Sequence, residues 1–142
     1  MEEKKSIHFQ ELETLSKTLG TLNGVKTSVI SVNDPDKEIG RELRALIFFR
    51  TNNFYSLSII TRVFDRRYSS TNQEWRLSLD TDDAPEPSGN YPLFSVCIEA
   101  RYSPDNANYF VVDCETLIDN IKHWTQPMFD NYFKRYHFDI NI

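Results

Sequence analysis

A chain of 142 residues with 19 aromatic side chains, ten of them Phe, is long enough to bury a core without disulfides or metals. Its formal net charge of −5 and pI near 5.2 argue against a general polyanion binder. The longest purely apolar run, residues 45–49, is too short to cross a bilayer, and the charged start MEEKK is not followed by a leader-like apolar stretch.

Residues 6–22 set Phe9, Leu12, Leu15, Leu19 and Leu22 at spacings of three and four, which predicts an amphipathic helix with Ser6 as N-cap. Asn23-Gly24 stops it. The β-branched run VKTSVISV (25–32) reads as a strand, ended by NDPDKEIG. ELRALIFFR (42–50) and FYSLSIITRVF (54–64), separated by TNN, read as a hairpin. EWRLSLD (74–80) alternates Trp75, Leu77 and Leu79 against polar residues and reads as a half-buried strand.

LFSVCIEARY (93–102) and YFVVDC (109–114) read as a second hairpin across the SPDNA turn. CETLIDNIKHW then sets Leu117, Ile118, Ile121 and Trp124 on one helical face, with Asp113 near its start. Pro127 interrupts, and MFDNYFKRYHF repeats the helical pattern through Phe129, Tyr132, Phe133 and Tyr136. The expected architecture is one α+β domain over 1–142. It has an N-terminal helix, an antiparallel meander of five to six strands, and two C-terminal helices on one face.

Cys97 and Cys114 fall on opposite sides of the second predicted hairpin, so two reduced thiols and a reducing, cytoplasmic setting are expected.

Charge is segregated. Residues 1–40 carry 5 basic and 7 acidic groups, 41–79 carry 7 Arg and 3 acids, and 80–142 carry 4 basic and 11 acidic groups. The arginine-only middle, with Arg62, Arg66, Arg67 and Arg76 beside Tyr68 and Trp75, has the guanidinium and ring chemistry that grips phosphates and stacks on bases. The plainer reading pairs these arginines with the acidic second half.

Between two predicted strands, Asp80, Asp82, Asp83 and Glu86 crowd one connector stiffened by Pro85 and Pro87, with Tyr91 close behind. It is either a solvated link or a negative prong that draws in a basic partner. The glycine and bidentate glutamate of an EF-hand loop are missing from it.

His8, His123 and His137 lack zinc-ligand spacing, and four scattered glycines build no phosphate cradle. Asp80 with Glu99 and Arg101 faintly echoes a metal nuclease, but Arg is a poor general base and strand alternation accounts for the pattern.

The leading expectation is therefore a cytoplasmic, cofactor-free binding protein rather than an enzyme. In concrete form it is an immunity- or antitoxin-type protein that covers the basic active site of a toxin such as a nuclease. Asp80, Asp82, Asp83, Glu86 and Tyr91 would be its contacts. RNA or single-stranded DNA binding through Arg62, Arg66, Arg67, Tyr68, Trp75 and Arg76 is the alternative, and a secretion-type chaperone is a third reading.

Overall fold

The computed structural model describes residues 6–22, 24–33, 41–51, 54–79, 94–128 and 130–131. The first helix, α1 (Ile7–Leu19), starts where its capping chemistry predicts: the Ser6 hydroxyl accepts the Phe9 N–H at 3.2 Å. Leu12, Leu15 and Leu19 form its buried stripe, and His8 joins them by packing edge-on against Phe110. The chain closes down on strand β1 (Val25–Val32) so tightly that a Cβ at Gly20 would stand 3.1 Å from Thr27 Oγ1. Gly24, at φ 77°, supplies the left-handed turn into that strand.

β1 pairs antiparallel with β2 (Leu43–Thr51), β2 with β4 (Phe94–Tyr102), and β4 with β3 (Trp75–Leu79). Four described strands thus stand in the order β1-β2-β4-β3. A register shift in β1 between Thr27 and Ile30 moves the inward positions from odd to even numbers, so that Ile30 and Val32 still face the core side.

The fold is α+β and antiparallel as expected, but it is not a simple meander. Two segments read as strands are helices. FYSLSIITRV forms α2 (Phe54–Val63), which buries Ser56, Ile59, Ile60 and Val63. That spacing is one helix face, whereas alternation and the short Asn turn suggest a strand. Residues 109–114 belong to α4 (Asn108–Asn120), where Phe110, Asp113, Cys114, Leu117 and Ile118 are buried. Val112, which in a strand would share a face with the buried Phe110 and Cys114, is 49% exposed. With both hairpin partners gone, β2 passes through α2 and the short α3 (Arg66–Ser69) to reach β3, and β4 returns between them. Asp113 consequently lies inside α4 rather than at a helix start.

One face of the sheet carries Leu43, Ala45, Ile47, Phe49, Val96, Ile98, Ala100 and Tyr102, all buried with side chains from α1, α2 and α4. Leu79, grouped with them by alternation, is exposed at the end of β3.

α4 does not stop at Pro127. The backbone widens to a π turn over Ile121–Thr125, with the Gln126 N–H reaching Ile121 O, and stays helical over 126–128. Widening one turn upstream absorbs the missing proline N–H. The extra residue in that turn delays the buried stripe: Thr125 is buried, and Trp124, predicted to be core, is 72% exposed. Most of the predicted final helix, including Phe129, Tyr132, Phe133, Tyr136 and His137, lies outside the described residues.

Neither cysteine is in a disulfide, for a reason other than the hairpin. Cys97 faces outward on β4, and Cys114 is buried on the helix covering the opposite face. Burial pushes the Cys114 thiol well above its ordinary value, with Glu11, Asp113 and Glu115 adding to the effect. A thiol reagent should therefore modify Cys97 alone in the native chain and both cysteines in denaturant. Mass spectrometry of peptides from the two reactions checks this, and native labelling of Cys114 would contradict it.

Candidate functional site

The sequence-predicted arginine patch is split by the fold. Trp75 is 3% exposed and belongs to the core: its ring lies against Phe110 (6.0 Å, stacked), Phe64 (5.8 Å) and Tyr102 (6.4 Å). Its Nε1–H donates to Tyr102 Oη at 2.9 Å. With its faces and its N–H occupied, it is no platform for a base, and that assignment is corrected.

Behind it a polar network is buried. Tyr102 Oη donates to Asp113 Oδ2 at 2.7 Å, and the carboxylate also accepts Asn72 N–H (2.7 Å), Asn72 Nδ2 (2.8 Å) and Gln73 N–H (3.1 Å). These bonds tie the loop before β3 to α4. Ser70 enters that loop in the left-handed conformation, φ 59°. The network is structural, and it fixes the platform on which α2, α3 and β3 meet.

Arg66, Arg67 and Arg76 do come together, around a recess of about 600 Å³ shared with Asp65 and Glu74. Each is already engaged locally. Arg67 bonds Asp65 at 2.8 Å, Arg76 bonds Glu74 at 3.3 Å, and Arg66 Nε donates to Thr71 O at 3.3 Å. The Arg67 side chain and N–H hold the Asp65 carboxyl below its usual range. These partners sit within five residues in sequence. Among the described residues these three arginines thus make short-range pairs, and Asp80, Asp82, Asp83 and Glu86 of the acidic second half lie outside them.

Arg62 and Tyr68 line a different feature, a groove of about 210 Å³ between α2, α3 and the end of the α4 helix. Its floor is Ile59 and Val63, and Trp124 and Met128 form its far wall. Tyr68 is 63% exposed, and the guanidinium carbons of Arg62 and Arg67 lie 5.6 and 5.8 Å from its ring centre, which braces the ring in a cation–π arrangement. Three large side chains, Tyr68, Trp124 and Met128, thus stand in solvent around an apolar trough. Trp124 and Met128 were absent from the predicted site, because helical periodicity assigned Trp124 to the core.

Asp80, Asp82, Asp83, Glu86 and Tyr91 lie outside the described residues. Glu99 and Arg101, the remnants of the nuclease echo, bond each other at 2.7 Å, and Arg44 approaches the same carboxylate at 2.8 Å. The Arg44 hydrogen bond, with help from Arg101, draws the Glu99 carboxyl below its usual range. Among the described residues no group of three or more His, Cys, Asp or Glu side chains is placed to hold a metal, and no helix is long and apolar enough to cross a membrane. No family model, curated protein or solved structure matches this chain.

Proposed function

We propose that the chain is a protein-binding module that docks its partner in the α2–α3–α4 groove. The observation that carries this reading is the exposure of Trp124, Tyr68 and Met128 around the Ile59–Val63 floor. Trp, Tyr, Met and Arg are the side chains enriched where a few contacts dominate binding, and Arg62 beside Tyr68 completes that set.

Charge supplies the approach. The described residues hold 11 basic and 11 acidic side chains, leaving 5 basic and 10 acidic outside them, so the whole net charge of −5 resides there. Asp80, Asp82, Asp83 and Glu86 account for four of those acids. Such clusters accelerate encounter with a basic surface. In its most concrete form the protein is a cytoplasmic, cofactor-free immunity- or antitoxin-type inhibitor. It captures a basic toxin electrostatically and then packs against it through the groove.

The test is capture from nuclease-treated native lysate on immobilised wild-type, Trp124→Glu and Ile7→Glu chains. A basic protein retained stoichiometrically by wild type and Ile7→Glu, and lost by Trp124→Glu, is the expected result. Equal retention by Trp124→Glu would remove the groove from the interface. With the captured protein in hand, replacing Asp80, Asp82, Asp83 and Glu86 by Asn or Gln should slow association about tenfold and leave dissociation nearly unchanged. An unaltered association rate would reduce that segment to a connector.

A further inference from the structure

We propose that the sheet face opposite the helices binds single-stranded nucleic acid, at a site separate from the groove. The pairing register places Lys26 opposite Arg50, Arg44 opposite Arg101, and Arg76 opposite Glu99, all on the outward side. The outward positions of the four strands therefore carry five cations and one carboxylate. Glu42 and Glu74 stand at the rim, paired with Arg101 and Arg76. Among the described residues the core helices all pack on the other face.

Two features of this face favour a polyanion. Like charges directly opposite each other in a sheet are destabilising, and here two such cation pairs occur on neighbouring strands. At one of them, Glu99 sits between the guanidiniums and bonds both, Arg44 through Nε and Nη2 and Arg101 through Nε. That carboxylate occupies the position where a phosphate oxygen would bridge the same two forks. Exposed pairs of this kind contribute little stability, so the guanidiniums can be redirected to a ligand at small cost.

The second feature is spacing. Arg44 and Arg50 lie six residues apart on β2, about 20 Å along a strand. Leu46 and Phe48 point outward between them and are only partly buried. Cationic ends flanking an aromatic and an aliphatic side chain suit a run of nucleotides, with phosphates at the ends and a base on Phe48. A compact acidic peptide would leave the ring unused. The net negative charge of the chain does not oppose this: at physiological salt the Debye length is about 8 Å, so charges on the face dominate what a ligand there experiences.

The experiment is fluorescence anisotropy of fluorescein-labelled U20 RNA and dT20 DNA with the full chain, from 25 to 200 mM NaCl. Binding should weaken with a log–log slope near −0.7 for each phosphate contacted. Arg44→Gln/Arg101→Gln should reduce affinity at least tenfold and flatten the slope by about 1.4, the amount for two contacts. Trp124→Glu and Arg62→Gln, on the groove side, should bind as wild type does.

No anisotropy change at 25 mM salt with 100-fold excess protein would overturn the proposal. So would wild-type affinity in Arg44→Gln/Arg101→Gln. Displacement of the RNA by a 20-residue polyglutamate at equal concentration would also overturn it, in favour of an acidic protein partner. The variants change exposed side chains, and their circular dichroism and urea midpoints should match wild type. Because the groove variants serve as controls, failure here leaves the protein-binding reading standing, and the converse holds.

Discussion

Replacing Asp113 with alanine lowers the free energy of unfolding by about 3–5 kcal/mol. The carboxylate is 1% exposed and accepts four hydrogen bonds, from Asn72 N–H, Asn72 Nδ2, Gln73 N–H and Tyr102 Oη. All four donors are neutral, so oriented N–H and O–H groups hold the carboxylate in strong, charge-assisted bonds. Alanine leaves those donors facing a small void. Each buried donor without an acceptor costs roughly 1–3 kcal/mol, and water entering from the Asn72 side recovers part of it.

Against a total stability of about 5–15 kcal/mol for a domain of this size, that loss is severe. In urea the midpoint should fall by about 2 M, for slopes of about 1–3 kcal/mol per molar. Asp113→Asn keeps the shape and one acceptor oxygen, so it should lie about halfway between. A midpoint shift below 0.5 M for the alanine variant would show that the loop before β3 re-satisfies itself without the carboxylate.

Stability should also fall steeply in alkali. Burial, reinforced by the hydrogen bond to Asp113 and its charge, holds the Tyr102 phenol protonated far above its ordinary 10.0. Burial and three nearby acids do the same for the Cys114 thiol, whose ordinary value is 9.0. Both folded-state values are raised, so the folded chain keeps protons that the unfolded chain releases. The stabilising contribution is complete below pH 9 and is lost as pH rises.

Each group contributes a slope of about 1.4 kcal/mol per pH unit once the unfolded chain titrates. The loss is thus about 1 kcal/mol between pH 9 and 10, chiefly from Cys114, and about twice as steep above pH 10, when Tyr102 joins. Urea titrations from pH 8 to 11 measure it. Cys114→Ala should abolish the slope between pH 9 and 10, and Tyr102→Phe should halve it above pH 10. A flat profile to pH 11 in wild type would mean that both groups ionise in place.

Local patterns made much of this fold legible. Ser6 followed by Leu12, Leu15 and Leu19 identifies α1 to within a few residues, and the β-branched run at 25–32 coincides with β1. α2 was misread because Tyr55, Leu57 and Ile59 alternate as well as Ser56, Ile59, Ile60 and Val63 recur; two periods fit one short segment, and tertiary burial decided between them. The same ambiguity cost the first turns of α4.

The candidate sites were less legible, for a topological reason. Arg44, Arg50, Arg76 and Arg101 share a surface only because β4 enters between β2 and β3, and no local pattern reports strand order. Parity within ELRALIFFR does mark Arg44 and Arg50 as partners of Leu46 and Phe48, and that signal was available. The Asp113 network joins residues 72, 73, 102 and 113 across two connections, with nothing in sequence to link them.

The π turn at Ile121–Thr125 has a consequence for how this surface can evolve. A helix reads its sequence out at a fixed angular step, and one surplus residue resets the phase of everything downstream. Upstream of the turn, the code for inside and outside is the ordinary one; past it, the same code is shifted by about 100°. Trp124 is therefore displayed by a frame offset and not by any change in its own chemistry. Were the same residues wound as an ordinary α-helix, Trp124 would fall three positions after the buried Ile121, on the inward face, and the wall of the groove would be gone with the composition of the helix untouched.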